Sequence, residues 1–296
     1  MGSTERFPLQ FASLPCLGGG RIGWREAGAA HPGAVALVLL HGIGSGAASW
    51  QAQFEAFGSQ RRVLAWDAPG YGESAALPDD APLGADYALA LSQWLAAAGV
   101  QDMVLVGHSL GALMAAAWAA DWTAQPGPRP RARLRALVLA CPARGYGRAE
   151  PAAREAKWRE RIEAIERHGP AGLAAARAAN LCTPDAPAEV VEHVRANMAR
   201  ITPRGYAQAA HLLAHDDLAS RLGRIDRAAT ALHVIAGALD RITPPEACAE
   251  LAREAHAPFT LLPGAAHACY VEQPAAFDDA LARVLATVAT PASAAL

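Results

Sequence analysis

Apolar residues along this chain gather into short runs separated by stretches with helical spacing. Ile22 to Glu26, Ala34 to Leu40, Val63 to Trp66, Met103 to Val106, Leu134 to Ala140, Leu232 to Ala236 and Phe259 to Leu262 read as strands. They lack the strict apolar–polar alternation of a half-exposed sheet, which suits strands covered on both faces of a largely parallel one. Between them, Ser49 to Phe57, Asp86 to Ala98, Pro245 to Ala255 and Pro274 to Ala289 read as helices, with Gly99 closing the second. The β-α-β-α rhythm predicts an α/β fold: a mostly parallel central sheet flanked by helices.

The pattern changes from about Glu150 to Arg227, where no strand is evident. Helices are expected over Ala152 to Arg167, Gly172 to Asn180, Ala188 to Met198 and Pro203 to Ala214, with Pro151, Pro170, Pro187 and Pro203 at or near their starts. The strands resume afterwards. An all-helical insertion over residues 143–229 therefore divides a core made of residues 1–142 and 230–296.

Composition narrows the class. At 296 residues, 52% hydrophobic and 18% charged, the chain suits one large globular domain with an insertion. A net charge of −2 and a single lysine, Lys157, argue against nucleic-acid binding. The cluster Arg129, Arg131, Arg133 and Arg135 reads as a solvated loop. Five scattered cysteines, Cys16, Cys141, Cys182, Cys248 and Cys269, form no C-x-x-C pair, so neither a disulfide framework nor a zinc cage is indicated. Met1 to Gln10 lacks the basic and apolar regions of an export signal, and no apolar run could span a bilayer, so a soluble cytoplasmic protein, monomer or homodimer, is the expectation.

Gly107-His108-Ser109-Leu110-Gly111 stands between the run Met103 to Val106 and the small-residue stretch Ala112 to Ala120. A serine between two glycines at a strand-to-helix junction is how a nucleophile elbow is built, because the turn leaves no room for flanking side chains. Serine is a weak nucleophile that needs a histidine base, and the base needs an acid to fix its tautomer. Asp240 and His267 each follow a predicted strand, where open α/β sheets place their sites, and the order Ser, Asp, His is the hydrolase order. His41-Gly42-Ile43-Gly44-Ser45-Gly46 follows another strand, so the backbone N–H groups of Ile43 and Leu110 are candidate oxyanion donors.

Other candidates carry less. His108 belongs to the elbow, His233 lies inside a strand, and His168 and His193 fall on expected surface helices. His211 and His215 share a helix face but have no third ligand at a telling spacing, so no metal is expected. Asp216 and Asp217 read as caps of a following helix, and Asp226 precedes a strand rather than following one.

Five ordered segments resemble the α/β-hydrolase superfamily: His41 to Gly44, Asp67-Ala68-Pro69-Gly70-Tyr71-Gly72-Glu73-Ser74, Gly107 to Gly111, Gly237 to Asp240 and Gly264 to His267. The resemblance implies Ser109 as nucleophile, Asp240 as acid, His267 as base and the helical insertion as a cap. Met198 to Tyr206, continuing to Ile225, is similar to 3-oxoadipate enol-lactonases and related esterases, whereas Gly44 to Trp50 is similar to meta-cleavage-product hydrolases. The expected activity is hydrolysis of a small carboxylic ester or lactone through an acyl-enzyme, with no cofactor. Carbon–carbon bond hydrolysis is the alternative, and a non-catalytic binding module on the same scaffold the lesser one. Ile43, Met114, Tyr146, Met198, Tyr206 and Ile242, near motif ends, are candidates for the substrate pocket.

Overall fold

The computed structural model describes residues 6–31, 34–124 and 132–288. Its strands are β1 (Leu9–Ser13), β2 (Arg21–Ala27), β3 (Ala36–Leu40), β4 (Val63–Asp67), β5 (Asp102–His108), β6 (Arg133–Ala140), β7 (Ala231–Gly237) and β8 (Phe259–Leu262). They form one sheet in the order β1-β2-β4-β3-β5-β6-β7-β8. β2 pairs antiparallel with both β1 and β4, and every later pairing is parallel.

The continuous apolar runs are explained by what lies on each face. Leu37, Leu39, Val63, Ala65, Val104 and Val106 pack with Phe54 of α1 (Gln51–Phe57) and Phe277 and Leu281 of the helix Pro274–Val288. Their neighbours Val38, Leu40, Leu64, Trp66 and Leu105 pack with Leu91 and Trp94 of α2 (Gly84–Ala97) and Leu113 of α3 (Leu110–Ala124). With both faces covered, the middle of these strands is apolar on each side, and polar side chains appear only at their ends, as Asp67 of β4 and Asp102 and His108 of β5. β1 is not evident in the sequence, because Leu9-Gln10-Phe11-Ala12-Ser13 interrupts its apolar residues with polar ones and forms no continuous apolar run. Phe11 on that strand is 41% exposed and lies under the Arg21 guanidinium, 4.4 Å from the ring centroid.

Between β6 and β7 the described chain is helical: α4 (Pro151–Arg177), α5 (Ala188–Met198), α6 (Pro203–His215) and α7 (Leu218–Leu222). α4 covers the two helices expected on either side of Pro170. The break is real, since Gly169 has φ 62° and ψ 177°, outside helical geometry. The Asp217 side chain caps α7 by accepting from the Ser220 N–H at 2.8 Å, whereas Asp216 pairs with both Arg221 Nε and Nη2 at 3.0 Å. A Cβ added to Gly70 would lie 2.5 Å from Gly205 Cα, so the start of α6 meets the turn after β4 backbone to backbone. The Thr202 hydroxyl, N-cap of α6, donates to the Gly70 carbonyl at 2.6 Å, and Tyr71 bridges Ile201.

The arginine cluster is not simply a solvated loop. Arg133 and Arg135 lie on β6 and pair with Asp102 at 2.8 and 2.6 Å, while Arg129 and Arg131 lie outside the described residues. Burial pushes the Asp102 carboxyl up, yet the two guanidiniums outweigh it and hold it below its ordinary value. Among the described residues no helix is long and apolar enough to cross a membrane.

At the junction of β5 with α3 the packing is backbone against backbone. A Cβ at Gly111 would lie 2.5 Å from the Leu40 carbonyl oxygen and 2.8 Å from that of His41, and one at Gly107 would lie 2.7 Å from Ala112 Cα. These obstacles are backbone atoms that no rotamer change relieves. Gly111→Ala is therefore expected to lower unfolding free energy by about 3 kcal/mol, or to prevent folding. Gly99→Ala, at φ +67° in open space, should lose only about 1 kcal/mol from backbone strain. Urea denaturation of both variants checks the ranking, and equal losses would show that backbone conformation outweighs steric exclusion.

Candidate active site

Ser109 sits between β5 and α3 with φ 52°, a left-handed conformation that costs a non-glycine residue roughly 1–3 kcal/mol. Backbone bonds hold it there: the Ser109 N–H donates to the Ala140 carbonyl at 2.9 Å, and its own carbonyl accepts from Ala112 and Ala143 at 3.0 and 3.1 Å. Leu110 is the first residue of α3, so its N–H belongs to the helix-start donors that have no partner inside the helix.

Asp240 and His267 stand on the loops that follow β7 and β8, which are tied together by the Leu239 N–H donating to the Ala265 carbonyl at 2.9 Å. His267 Nδ1 donates to Asp240 Oδ2 at 2.8 Å, and both side chains are buried. Asp240 Oδ1 also accepts from the N–H groups of Ile242 and Thr243 at 2.7 and 3.0 Å, and Oδ2 accepts from the Thr243 hydroxyl at 2.7 Å. Burial pushes this carboxyl up, but the bond and charge of His267 and the Thr243 donors prevail and hold it at about 2. With the proton committed to Nδ1, Nε2 of His267 is left as an acceptor. Thr243 is not marked in the sequence: the Asx turn of Asp240 closes on the Ile242 N–H two residues on, and the threonine hydroxyl beyond it is a contact that only the fold reveals.

The loop after β3 is held from three sides. His41 Nδ1 donates to the Gly42 carbonyl at 2.8 Å, and its Nε2 accepts from the Ala68 N–H at 3.0 Å. The Tyr71 hydroxyl donates to the Ile43 carbonyl at 2.9 Å. Tyr270 donates to Ser49 Oγ at 2.9 Å and stacks on Trp50, with ring centroids 4.0 Å apart. Above the loop, Met198 presses so closely that a Cβ on Gly44 would lie 2.7 Å from its methyl carbon.

His108 Nε2 donates to the His267 carbonyl at 2.8 Å, and burial, first, with the neighbouring His267, second, lowers its pKa to about 3. It is a neutral strut beneath the His267 loop. His108, Cys141 and His267 each place a ligand-type atom within 4.8 Å of the others. The set fits a metal poorly: His267 Nδ1 is engaged by Asp240, and Cys269 at 3.5 Å, together with burial, drives the Cys141 thiol well up, away from the thiolate that binds metals. His211 and His215 stack at 4.0 Å between centroids and bind the Pro82 carbonyl and Glu155.

A cavity of about 340 Å³ opens above the sheet and is lined by Ser109, His267, Ile43 and Leu110 together with α4, α5 and α6. Tyr146, Met198, Tyr206 and Ile242 line it as well, as does His193, which the sequence placed on a surface helix. Burial lowers the His193 pKa. Met114 does not line the cavity: it is 1% exposed and packed in the core, because α3 is enclosed on every side around it. Asp240 stands behind His267, outside the lining.

A family model described as the alpha/beta hydrolase family matches residues 37–280. A putative carbamate hydrolase RutD of Klebsiella pneumoniae is 42% identical over 88 residues, which are 28% of this chain and only 31% of that relative. The structure is similar to a thermophilic esterase from Thermogutta terrifontis, solved with malate bound, at TM-score 0.81 and 26% identity, covering 96% of this chain and 100% of that one. It is also similar in fold to the enol-lactonase from Burkholderia xenovorans LB400, at TM-score 0.78 and 23% identity, covering 94% and 100% of the two chains. With the match running from β3 into the helix Pro274–Val288 and the sheet order above, the chain belongs to the alpha/beta hydrolase family.

Proposed function

We propose that this hydrolase cleaves a small carboxylic ester or lactone through an acyl-enzyme on Ser109. The observation that carries the reading is the 2.8 Å bond from His267 Nδ1 to a buried, ionised Asp240, in a histidine that lines the same cavity as Ser109. That bond leaves Nε2 ready to take the serine proton. As Ser109 Oγ attacks the carbonyl carbon, His267 accepts the proton and the imidazolium is stabilised by Asp240. The N–H groups of Ile43 and Leu110 receive the oxyanion. Collapse breaks the bond to the leaving alkoxide, which takes the proton from His267; in a lactone it remains tethered to the acyl chain. Water, giving a proton to His267, then attacks the acyl-enzyme, and the serine recovers its proton as the acid departs.

Residues 143–229 serve as the cap in this reading, with the cavity between them and the sheet as the substrate pocket. The 26% identical esterase, which aligns along its full length, supports ester chemistry for that pocket.

Ser109→Ala is expected to abolish hydrolysis of short aryl esters and labelling by a fluorophosphonate probe while leaving the thermal transition in place; retained turnover would sink the mechanism. Asp240→Asn should lower kcat by about ten thousand fold, because the amide presents the wrong partner to Nδ1. Thr243→Val, which keeps the two backbone donors, should lose only about tenfold, on the order of one charged hydrogen bond. Since Asp240 stays ionised down to about 2, it adds no titration above about pH 3. The acid limb of kcat/KM should fall with a slope of one as pH drops, and a slope of two over that range would contradict the assignment.

A further inference from the structure

We infer that the substrate carries a free carboxylate, which Arg161 and Arg177 of α4 hold against the wall of the cavity. This rests on the ester-hydrolase reading and names the kind of ester. Three guanidiniums line the cavity, those of Arg144, Arg161 and Arg177, and no aspartate or glutamate does. Arg144 is already neutralised by Glu250 and Glu254, at 2.9 and 3.0 Å. Among the described residues neither Arg161 nor Arg177 has an ion pair. Arg177 Nη1 donates to the Tyr206 hydroxyl at 3.3 Å, and its remaining donors are available. Tyr71, a phenol within electrostatic reach of Arg161, is kept protonated by burial and supplies no counter-charge.

The two arginines are half-buried, unlike Arg159 and Arg167 of the same helix, which are exposed. Their neighbours in the wall include Leu173, Val194, Met198 and Leu213, so two cations stand beside apolar surface with no anion to answer them. Such a place draws an anion, and the planar fork of arginine matches a carboxylate in particular. That both line one cavity is a product of the fold. Sixteen positions apart on a straight helix, they would be separated by about 24 Å along the axis. The break at Gly169 lies between them, and both reach one cavity of about 340 Å³.

Half-esters of dicarboxylic acids are the simplest compounds that join a cleavable ester to such a group. The test measures binding by calorimetry to the Ser109→Ala enzyme, which the proposed chemistry leaves unable to turn over its ligand. Monomethyl and dimethyl esters of succinate, glutarate and adipate are compared, so that chain length reads the spacing. The half-ester of at least one acid is expected to bind about tenfold or more tightly than its diester. Arg161→Gln and Arg177→Gln, each in the Ser109→Ala background, should remove most of that preference, while Arg177→Lys, which keeps the charge, should retain part of it. Equal binding of half-ester and diester at every length, no binding of either at millimolar concentration, or a preference that survives in both glutamine variants would overturn the inference. Turnover by the unsubstituted enzyme separates the two readings. Hydrolysis of diesters and half-esters alike, without preference, would remove the carboxylate site and leave the esterase, whereas preferential binding without any ester turnover would do the reverse.

Discussion

The close approach of α3 to the carboxyl end of β3 is the constraint on which the rest of the site depends. Gly111 touches the carbonyls of Leu40 and His41 with nothing but backbone between them. That contact fixes where α3 begins, and hence where the Leu110 N–H lies, while Leu40, the last residue of β3, and His41 launch the loop that carries Ile43. Two segments almost seventy residues apart in sequence are thereby set side by side. Ser109 is forced into a left-handed conformation as part of the same turn, and its bonds to Ala140, Ala112 and Ala143 spread the strain over β6 and the first turn of α3.

Around this turn the protein has assembled charge in a dry place by pairing it completely. Asp240 would be costly to bury alone, yet four donors from His267, Ile242 and Thr243 surround its two oxygens. His108 and Cys141 lie below, the first kept neutral by burial and the second by its bond to Cys269 together with burial, so that neither sets a competing charge beside the imidazole. His108 also supports His267 through its backbone, which ties the elbow and the histidine loop into one unit.

Much of this was legible in the chain because it rests on local rules. The buried strands announce themselves as apolar runs, the elbow as two glycines flanking a serine, and Asp240 and His267 by lying just past strand ends in the right order. What stayed hidden depends on pairing across the fold. β1 is an edge strand whose identity comes from β2, and Arg133 and Arg135 look like part of a solvated cluster until Asp102 is placed opposite them. His193 has the sequence surroundings of a surface residue and turns inward only because α5 lies over the cavity. Met114 errs the other way: its nearness to the elbow in sequence suggests the pocket, but a helix enclosed on all sides sends it into the core.

The meeting of Gly70 with Gly205 has a consequence for how such a protein can change. An insertion that rested on the core through side chains could be traded for another by repacking a few residues. Here the start of α6 lies against bare backbone, and the turn it meets carries Tyr71, whose hydroxyl restrains Ile43. The helical segment is therefore not an interchangeable module. A transplanted one would have to bring its own glycine and its own Thr202 to the same spot, or loosen the loop that carries Ile43.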